Sequence, residues 1–287
     1  MTLTFKINFS NWSEKEKASN MMSVLIRADK DERVFDCISS IRKTSPNSDI
    51  KVSILHNKSL EERIAKLGIK YCVVPKGNIS ITTNRGLKLI KNDKVLITDS
   101  DTIFDKNCIK LINKALNKYQ VVKPLIIFKN DGSTRSILVA NLRTYFNSKN
   151  NKMFTPGLAF RMHIKNKVGG YYFDNKVAWG EDSEFSNRVE YAKLRTFVIK
   201  NARLFHPPVT IRHDLGGAFL IGAKKPENKS FIEIIIKRFK TYYEILSDFG
   251  CPTFLYGFVW YFFFDFGKIT KHTGKTGKKM QNYFWKL

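Results

Sequence analysis

KVLITDSD, residues 94–101, is an apolar run that ends abruptly in acid. Val95, Leu96 and Ile97 follow one another without a polar break, the pattern of a strand buried on both faces. Asp99, Ser100 and Asp101 then stand where that strand would leave the core. Upstream, short apolar runs alternate with amphipathic stretches. SVLIRA (23–28) reads as a strand, and Glu32 to Thr44, with Val34, Phe35, Ile38 and Ile41 at helical spacing, as a helix that Ser45-Pro46-Asn47 ends. KVSILHN (51–57), a helix from Leu60 to Leu67 stopped by Gly68, IKYCVVP (69–75) and a helix from Ile79 to about Ile90 continue the series. The alternation predicts an α/β domain on a mostly parallel, Rossmann-like sheet.

Downstream the pattern loosens. A helix from Asn107 to about Tyr119 and a strand VVKPLIIF (121–128) are clear, whereas Lys129 to Lys152 is polar and yields no element. FTPGLAF (154–160), VGGYYFD (168–174), WGEDSEFSNRV (179–189) and RTFVIKNARLFH (195–206) suit mixed strands and short helices around a cleft. The domain is expected over 23–230, between an N-terminal extension (1–22) and a C-terminal segment (231–287). That segment holds nine Lys or Arg against four Asp or Glu, with Ile232, Ile235, Ile236 and Phe239 on one helical face. A basic helix followed by an aromatic, hairpin-like segment would lie on an anionic membrane surface; a helix packed on the core with a basic end fits the same residues.

The 287 residues are 43% hydrophobic and 13% aromatic, enough to bury a core and to exclude general disorder. Fifty Lys and Arg against 25 Asp and Glu give a net charge of +25, which favours anionic partners. Cys37, Cys72, Cys108 and Cys251 are widely separated and form no CxxC pair, which argues against a zinc ribbon or a disulfide scaffold. The opening MTLTFKINFSNWSEKEK lacks a basic patch followed by an apolar segment, and the longest apolar stretch, Phe254 to Phe264, is 11 residues. The expectation is a cytoplasmic protein that does not span a bilayer.

Two acidic clusters carry the chemistry. Carboxylates two residues apart on an extended strand point to opposite faces. Only a turn after the strand lets Asp99 and Asp101 reach one hard divalent cation, and a capping turn would use the same residues. Trp179-Gly180-Glu181-Asp182 places adjacent acids before an amphipathic segment, where they also suit the positive end of a helix. The preceding Gly169-Gly170-Tyr171-Tyr172-Phe173-Asp174 offers aromatic faces of the kind that stack on sugar rings, beside which an acid pair reads as a base with a hydroxyl-holding partner.

The order strand–DSD, PG-AF, VGGYYFD, WGEDSEF-NR and a later His resembles the inverting GT-A glycosyltransferases. It is similar to their family-2-like group and to those with a W-G-x-E-D type motif, over Ser23 to Asp214. The resemblance implies Asp99 and Asp101 as a DxD motif, with Asp101 a direct ligand of Mn²⁺ or Mg²⁺ and His206 completing the metal site; His213 is the competitor. It implies Asp182 as general base and Glu181 as its hydroxyl-holding partner. Trp179, Gly180, Gly170 and Tyr171 would shape the acceptor pocket. Arg27, Ala28, Asp29 and Ser100 would line the nucleotide, with Asn84 and Arg85 approaching ribose and diphosphate. Many relatives have an Asp-x-x-Ser segment after the second strand, where this chain has His56-Asn57-Lys58-Ser59.

The expected activity is transfer of a sugar from a nucleotide-sugar, a UDP-sugar in this reading, to a glycan or lipid-linked acceptor of a bacterial surface polysaccharide. The enzyme would sit peripherally on the inner face of the cell membrane. The charge also invites a nucleic-acid-binding module, but no such motif is present and acids clustered at a strand mouth repel phosphates. An inactive membrane-associated scaffold of the same fold is the third alternative.

Overall fold

The computed structural model describes residues 21–29, 31–55, 57–149, 152–177, 180–224 and 231–270. Most of the expected N-terminal extension, His56, Trp179 and residues 271–287 lie outside them. One eight-stranded sheet runs through the domain in the order β3-β2-β1-β4-β7-β6-β8-β5. Its strands are β1 (Met22–Ala28), β2 (Asp49–Leu55), β3 (Lys70–Val74), β4 (Lys94–Asp99), β5 (Ile103–Phe104), β6 (Val121–Phe128), β7 (Leu158–Arg161) and β8 (Thr196–His206).

The half β3-β2-β1-β4 is parallel throughout and wound by α1 (Val34–Thr44), α2 (Lys58–Lys66) and α3 (Ile79–Leu87). α1 forms because Val34, Cys37, Ile38 and Ile41 make one apolar stripe, and all four are buried. Phe35 is only partly buried and lies under the Arg63 guanidinium, 4.1 Å from its ring centroid. α3 lies hard against the sheet, because a Cβ at Gly86 would stand 2.5 Å from Leu25 Cδ1 and 2.9 Å from Ser53 Cβ.

The other half is mixed, as the sequence pattern anticipates. β7 is antiparallel to β4 and β6, β8 is parallel to β6, and β5 is antiparallel to β8. α4 (Cys108–Ala115) precedes β6, and α6 (Glu181–Tyr191) precedes β8. The unassigned polar stretch contains α5 (Thr134–Lys149). Its Ala140 joins the main core while Val139, Leu142 and Tyr145 join a second cluster, so contacts on several sides blur any single apolar stripe.

The region after β8 is more helical than its pattern suggests. α7 (Ile211–Lys224) is followed by α8 (Phe231–Thr270), which breaks at Gly250 (φ 79°) just before Pro252. Its arms fold back on each other: Tyr242 stacks on Phe258 at 4.7 Å between centroids, and Arg238 pairs with Asp265. The hairpin is fastened to the domain. Tyr145 Oη donates to Glu244 Oε2 at 2.7 Å, and Tyr256 Oη donates at 2.6 Å to Asp214, a fully buried carboxylate that also holds Arg143. Backbones touch as well, since a Cβ at Gly222 would overlap the Phe264 carbonyl and one at Gly267 that of Phe219.

Candidate active site

The site lies beyond the carboxyl ends of β1 and β4, where the strand order reverses and open α/β sheets leave a crevice. Arg27 and Asp99 are register partners there. Arg27 donates to Asp99 Oδ1 through Nε at 2.9 Å and Nη2 at 2.5 Å, and through Nη1 to Glu181 Oε1 at 2.7 Å. Burial works against its charge, but the two carboxylates outweigh burial and hold its pKa above the ordinary value. One guanidinium thus joins the DSD segment to the first residue of α6.

After Asp99 the chain turns. Thr102 Oγ1 donates to the Asp99 carbonyl at 2.9 Å, and the Cys37 thiol lies 3.7 Å from the same oxygen. The turn leads directly into β5, and β5 pairs with β8 so that Ile103 stands opposite Phe205. This pairing delivers His206, whose Nε2 lies 3.8 Å from Asp101 Oδ2; Arg33 Nη2 approaches the same oxygen at 3.6 Å. His206 Nδ1 is 2.8 Å from the Pro207 carbonyl, which can only accept, so Nδ1 carries a proton and Nε2 is the ring nitrogen that faces Asp101. Asp101 Oδ1 is buried without a hydrogen-bond partner. Burial raises the Asp101 pKa and Asp99 adds to it, against His206 and Arg33.

A carboxylate with one orphaned oxygen, beside an imidazole nitrogen 3.8 Å from its other oxygen, suits a divalent cation. Among the described residues no three His, Cys, Asp or Glu gather into a complete cage. Such a cation would therefore take ligands from its substrate too, as Mg²⁺ commonly does with phosphates. His213, on α7, is near enough to His206 to feel its charge: burial first, then Arg143 and His206, lower its pKa against Asp214.

Gly180 takes the left-handed conformation (φ 75°) that starts α6, and Glu181 and Asp182 fill the first turn. Glu181 is buried against Arg27, and burial together with Asp182 pushes its pKa up to about 7, against the pull of Arg27. Asp182 is half-buried. Its Oδ2 accepts from Thr155 N at 3.0 Å and Thr155 Oγ1 at 3.1 Å, and its Oδ1 from Ser183 N at 2.7 Å. Its pKa is nevertheless raised by burial. Lys123 is fully buried; burial brings its pKa down to about 8 while Asp182 opposes the shift.

The aromatic loop is held from both sides. Arg188 donates to the carbonyls of Val168, Tyr171 (2.9 Å) and Tyr172 (2.6 Å) and lies 4.1 Å from the Tyr171 ring centroid, which leaves Tyr171 exposed beside left-handed Gly170. On the α3 side Asn84 donates both amide protons, to Phe173 O (2.7 Å) and Asn175 Oδ1 (2.8 Å), and Ser80 Oγ donates to Val177 O at 2.5 Å. Asn84, expected to approach ribose or diphosphate, thus spends both amide protons on the loop. Arg27 likewise serves Asp99 and Glu181 with its three ion-pairing nitrogens. Ala28 and Ser100 are buried, and Asp29 and Arg85 are exposed.

Thr155, Arg33, Lys123 and Arg188 were not anticipated from sequence. Thr155 and Arg188 had a local signal, standing in the TPG segment ahead of β7 and in WGEDSEF-NR; Arg33 and Lys123 depend on tertiary neighbours.

Comparison with known proteins places this geometry. Residues 30–166 match the family model described as Glycosyl transferase family 2. That span holds the DSD turn and ends before α6. No curated protein sequence matches the chain. Among solved structures, S. aureus TarS 1-349 superposes with a TM-score of 0.51 at 15% identity, over 73% of this chain and 67% of that one. The same TarS fragment in complex with UDP-GlcNAc gives a TM-score of 0.51 at 16% identity, over 82% and 72%. The fold is GT-A-like.

Proposed function

We propose that this chain is an inverting glycosyltransferase that moves a sugar from a UDP-sugar to a hydroxyl of a glycan or lipid-linked acceptor, as in bacterial surface polysaccharide synthesis. The observation that carries the reading is Arg27, whose guanidinium binds Asp99 and Glu181 at once and so sets two acidic motifs on one crevice. The family match over residues 30–166 and the fold shared with a TarS fragment crystallised with UDP-GlcNAc support the donor class.

In the reaction, Asp182 takes the proton of the acceptor hydroxyl as that oxygen bonds to the anomeric carbon. The bond from that carbon to the diphosphate breaks on the opposite face, and one displacement inverts the centre. Asp182 suits the base better than Glu181, because it is the more accessible of the two and the Thr155 and Ser183 donors fix its orientation. Glu181 stays with Arg27 and holds a substrate hydroxyl. Asp101 and His206, with Asp99 beside them, would hold Mn²⁺ or Mg²⁺, which when bound offsets charge on the departing diphosphate. Tyr171, Gly170 and Gly180 would border the acceptor in this reading. A lipid-linked acceptor would place the enzyme on the inner membrane face.

The test is thermal stabilisation by a panel of UDP-sugars with and without Mn²⁺, followed by UDP release with candidate acceptors. Mn²⁺-dependent stabilisation that Asp101→Asn abolishes is the expected result. A chain that binds generic DNA with steep salt dependence and no UDP-sugar would overturn the reading.

A further inference from the structure

We propose that the outer face of the α8 hairpin docks on an anionic lipid surface, its apolar stripes set into the headgroup layer and its lysines on the lipid phosphates. The proposal names the surface behind the membrane contact above and rests on that reading for what the acceptor is.

On the first arm Ile236, Phe239 and Tyr243, spaced three and four apart, are 64%, 71% and 74% exposed. On the second arm Leu255, Phe262 and Ile269, seven residues apart in succession, are 57%, 64% and 67% exposed. Isolated exposed apolar residues are ordinary, but helical stripes of them on two joined arms mark an interaction surface. The inward sides are already used, through Ile245 and Tyr256 in the cluster with α5.

The charges choose the occupant. The described acids of the hairpin are held: Glu244 by Tyr145, Asp248 by Lys149 at 3.3 Å, and Asp265 by Arg238. Lys237 and Lys240, beside the first stripe, are exposed and form no ion pair among the described residues. Beyond Thr270 the sequence adds five lysines and no acid before its last residue. A basic apolar face attracts an anionic bilayer and repels its own copy. No helix among the described residues is long and apolar enough to cross a membrane.

The experiment is flotation of the full chain with phosphatidylcholine vesicles, with and without phosphatidylglycerol, alongside UDP-sugar binding and analytical ultracentrifugation. Binding is expected only to the anionic vesicles and should weaken with salt. The double variants Phe239→Ser/Phe262→Ser and Lys237→Glu/Lys240→Glu should each lose about tenfold or more, while keeping the helical circular dichroism and UDP-sugar affinity of the parent. Undiminished flotation of both variants would overturn the proposal. So would an intact chain that ignores anionic vesicles, including one that self-associates through this face. Vesicle binding without UDP-sugar binding would uphold the surface and remove the transferase reading, so the two fail separately.

Discussion

The imidazole of His206 and the carboxylate of Asp101 face each other at 3.8 Å although more than a hundred residues separate them, because β8 pairs with the two-residue strand that follows the DSD turn. Removing either group should abolish Mn²⁺-dependent stabilisation by UDP. Asp101→Asn should lower turnover by about a hundredfold or more, in keeping with the several kcal/mol that cation stabilisation of a leaving group supplies. His213→Ala, the control, should leave the Mn²⁺ dependence intact. Calorimetric titration of Mn²⁺ with UDP measures both, and loss of metal dependence in His213→Ala alone would exchange the two histidines.

Asp182→Asn should reduce kcat by about 10²- to 10⁴-fold with little change in affinity for the donor, since a general base acts in the transition state. Glu181→Gln should act on KM as well as kcat if, as proposed, Glu181 holds a substrate hydroxyl. Equal effects of both variants on KM alone would refute the assignment.

The pH dependence follows from burial of the acid pair. Glu181, pushed up to about 7, and Asp182, also raised, must be ionised to work, so kcat/KM should climb as pH rises toward and through about 7. Stability runs the other way. A carboxyl whose folded pKa exceeds its unfolded value contributes fully below the unfolded pKa, near 4.5, and loses that contribution as pH rises through about 7. Melting temperature against pH should therefore slope downward across this window, and Glu181→Gln should flatten the slope. A parallel slope in the variant would assign it to other groups.

Arg27→Ala should cost about 3–5 kcal/mol in denaturant titrations, because it leaves Glu181 buried without its counter-charge. Arg27→Met combined with Glu181→Leu should recover part of that loss. If Arg27→Ala is as stable as the parent, the ion pair contributes nothing to holding α6.

Gly222→Ala should destabilise the fold by about 1–3 kcal/mol, since the added methyl meets the Phe264 carbonyl and α7 must move off α8. Gly132→Ala has open space around its Cβ, so there only the strain of a positive φ (88°) acts. A midpoint for Gly222→Ala at the parent value would show that the two helices adjust freely.

The parallel half was legible because short apolar-rich strands alternate with helices, as with the unbroken Val95, Leu96 and Ile97 of β4 and the apolar stripe Val34, Cys37, Ile38 and Ile41 on α1. α5 was not, because it is covered on several sides by different partners. Within the site, the chain carried Asp99, Asp101, Glu181, Asp182 and His206 as chemical types. It did not carry the partner of each: the β1–β4 register sets Arg27 beside Asp99, where it also reaches Glu181, and the loop packed on α3 accepts both amide protons of Asn84. Thr155 on Asp182 and Arg188 under the aromatic loop are likewise products of packing.

Because Arg27 already sits between Asp99 and Glu181, the crevice brings its own counter-ion into the folded state. If the proposed function holds, folding and metal loading would be separable events: a chelator should strip the response to UDP yet leave the melting curve of the protein alone where it was, the crevice standing assembled before cation and donor arrive.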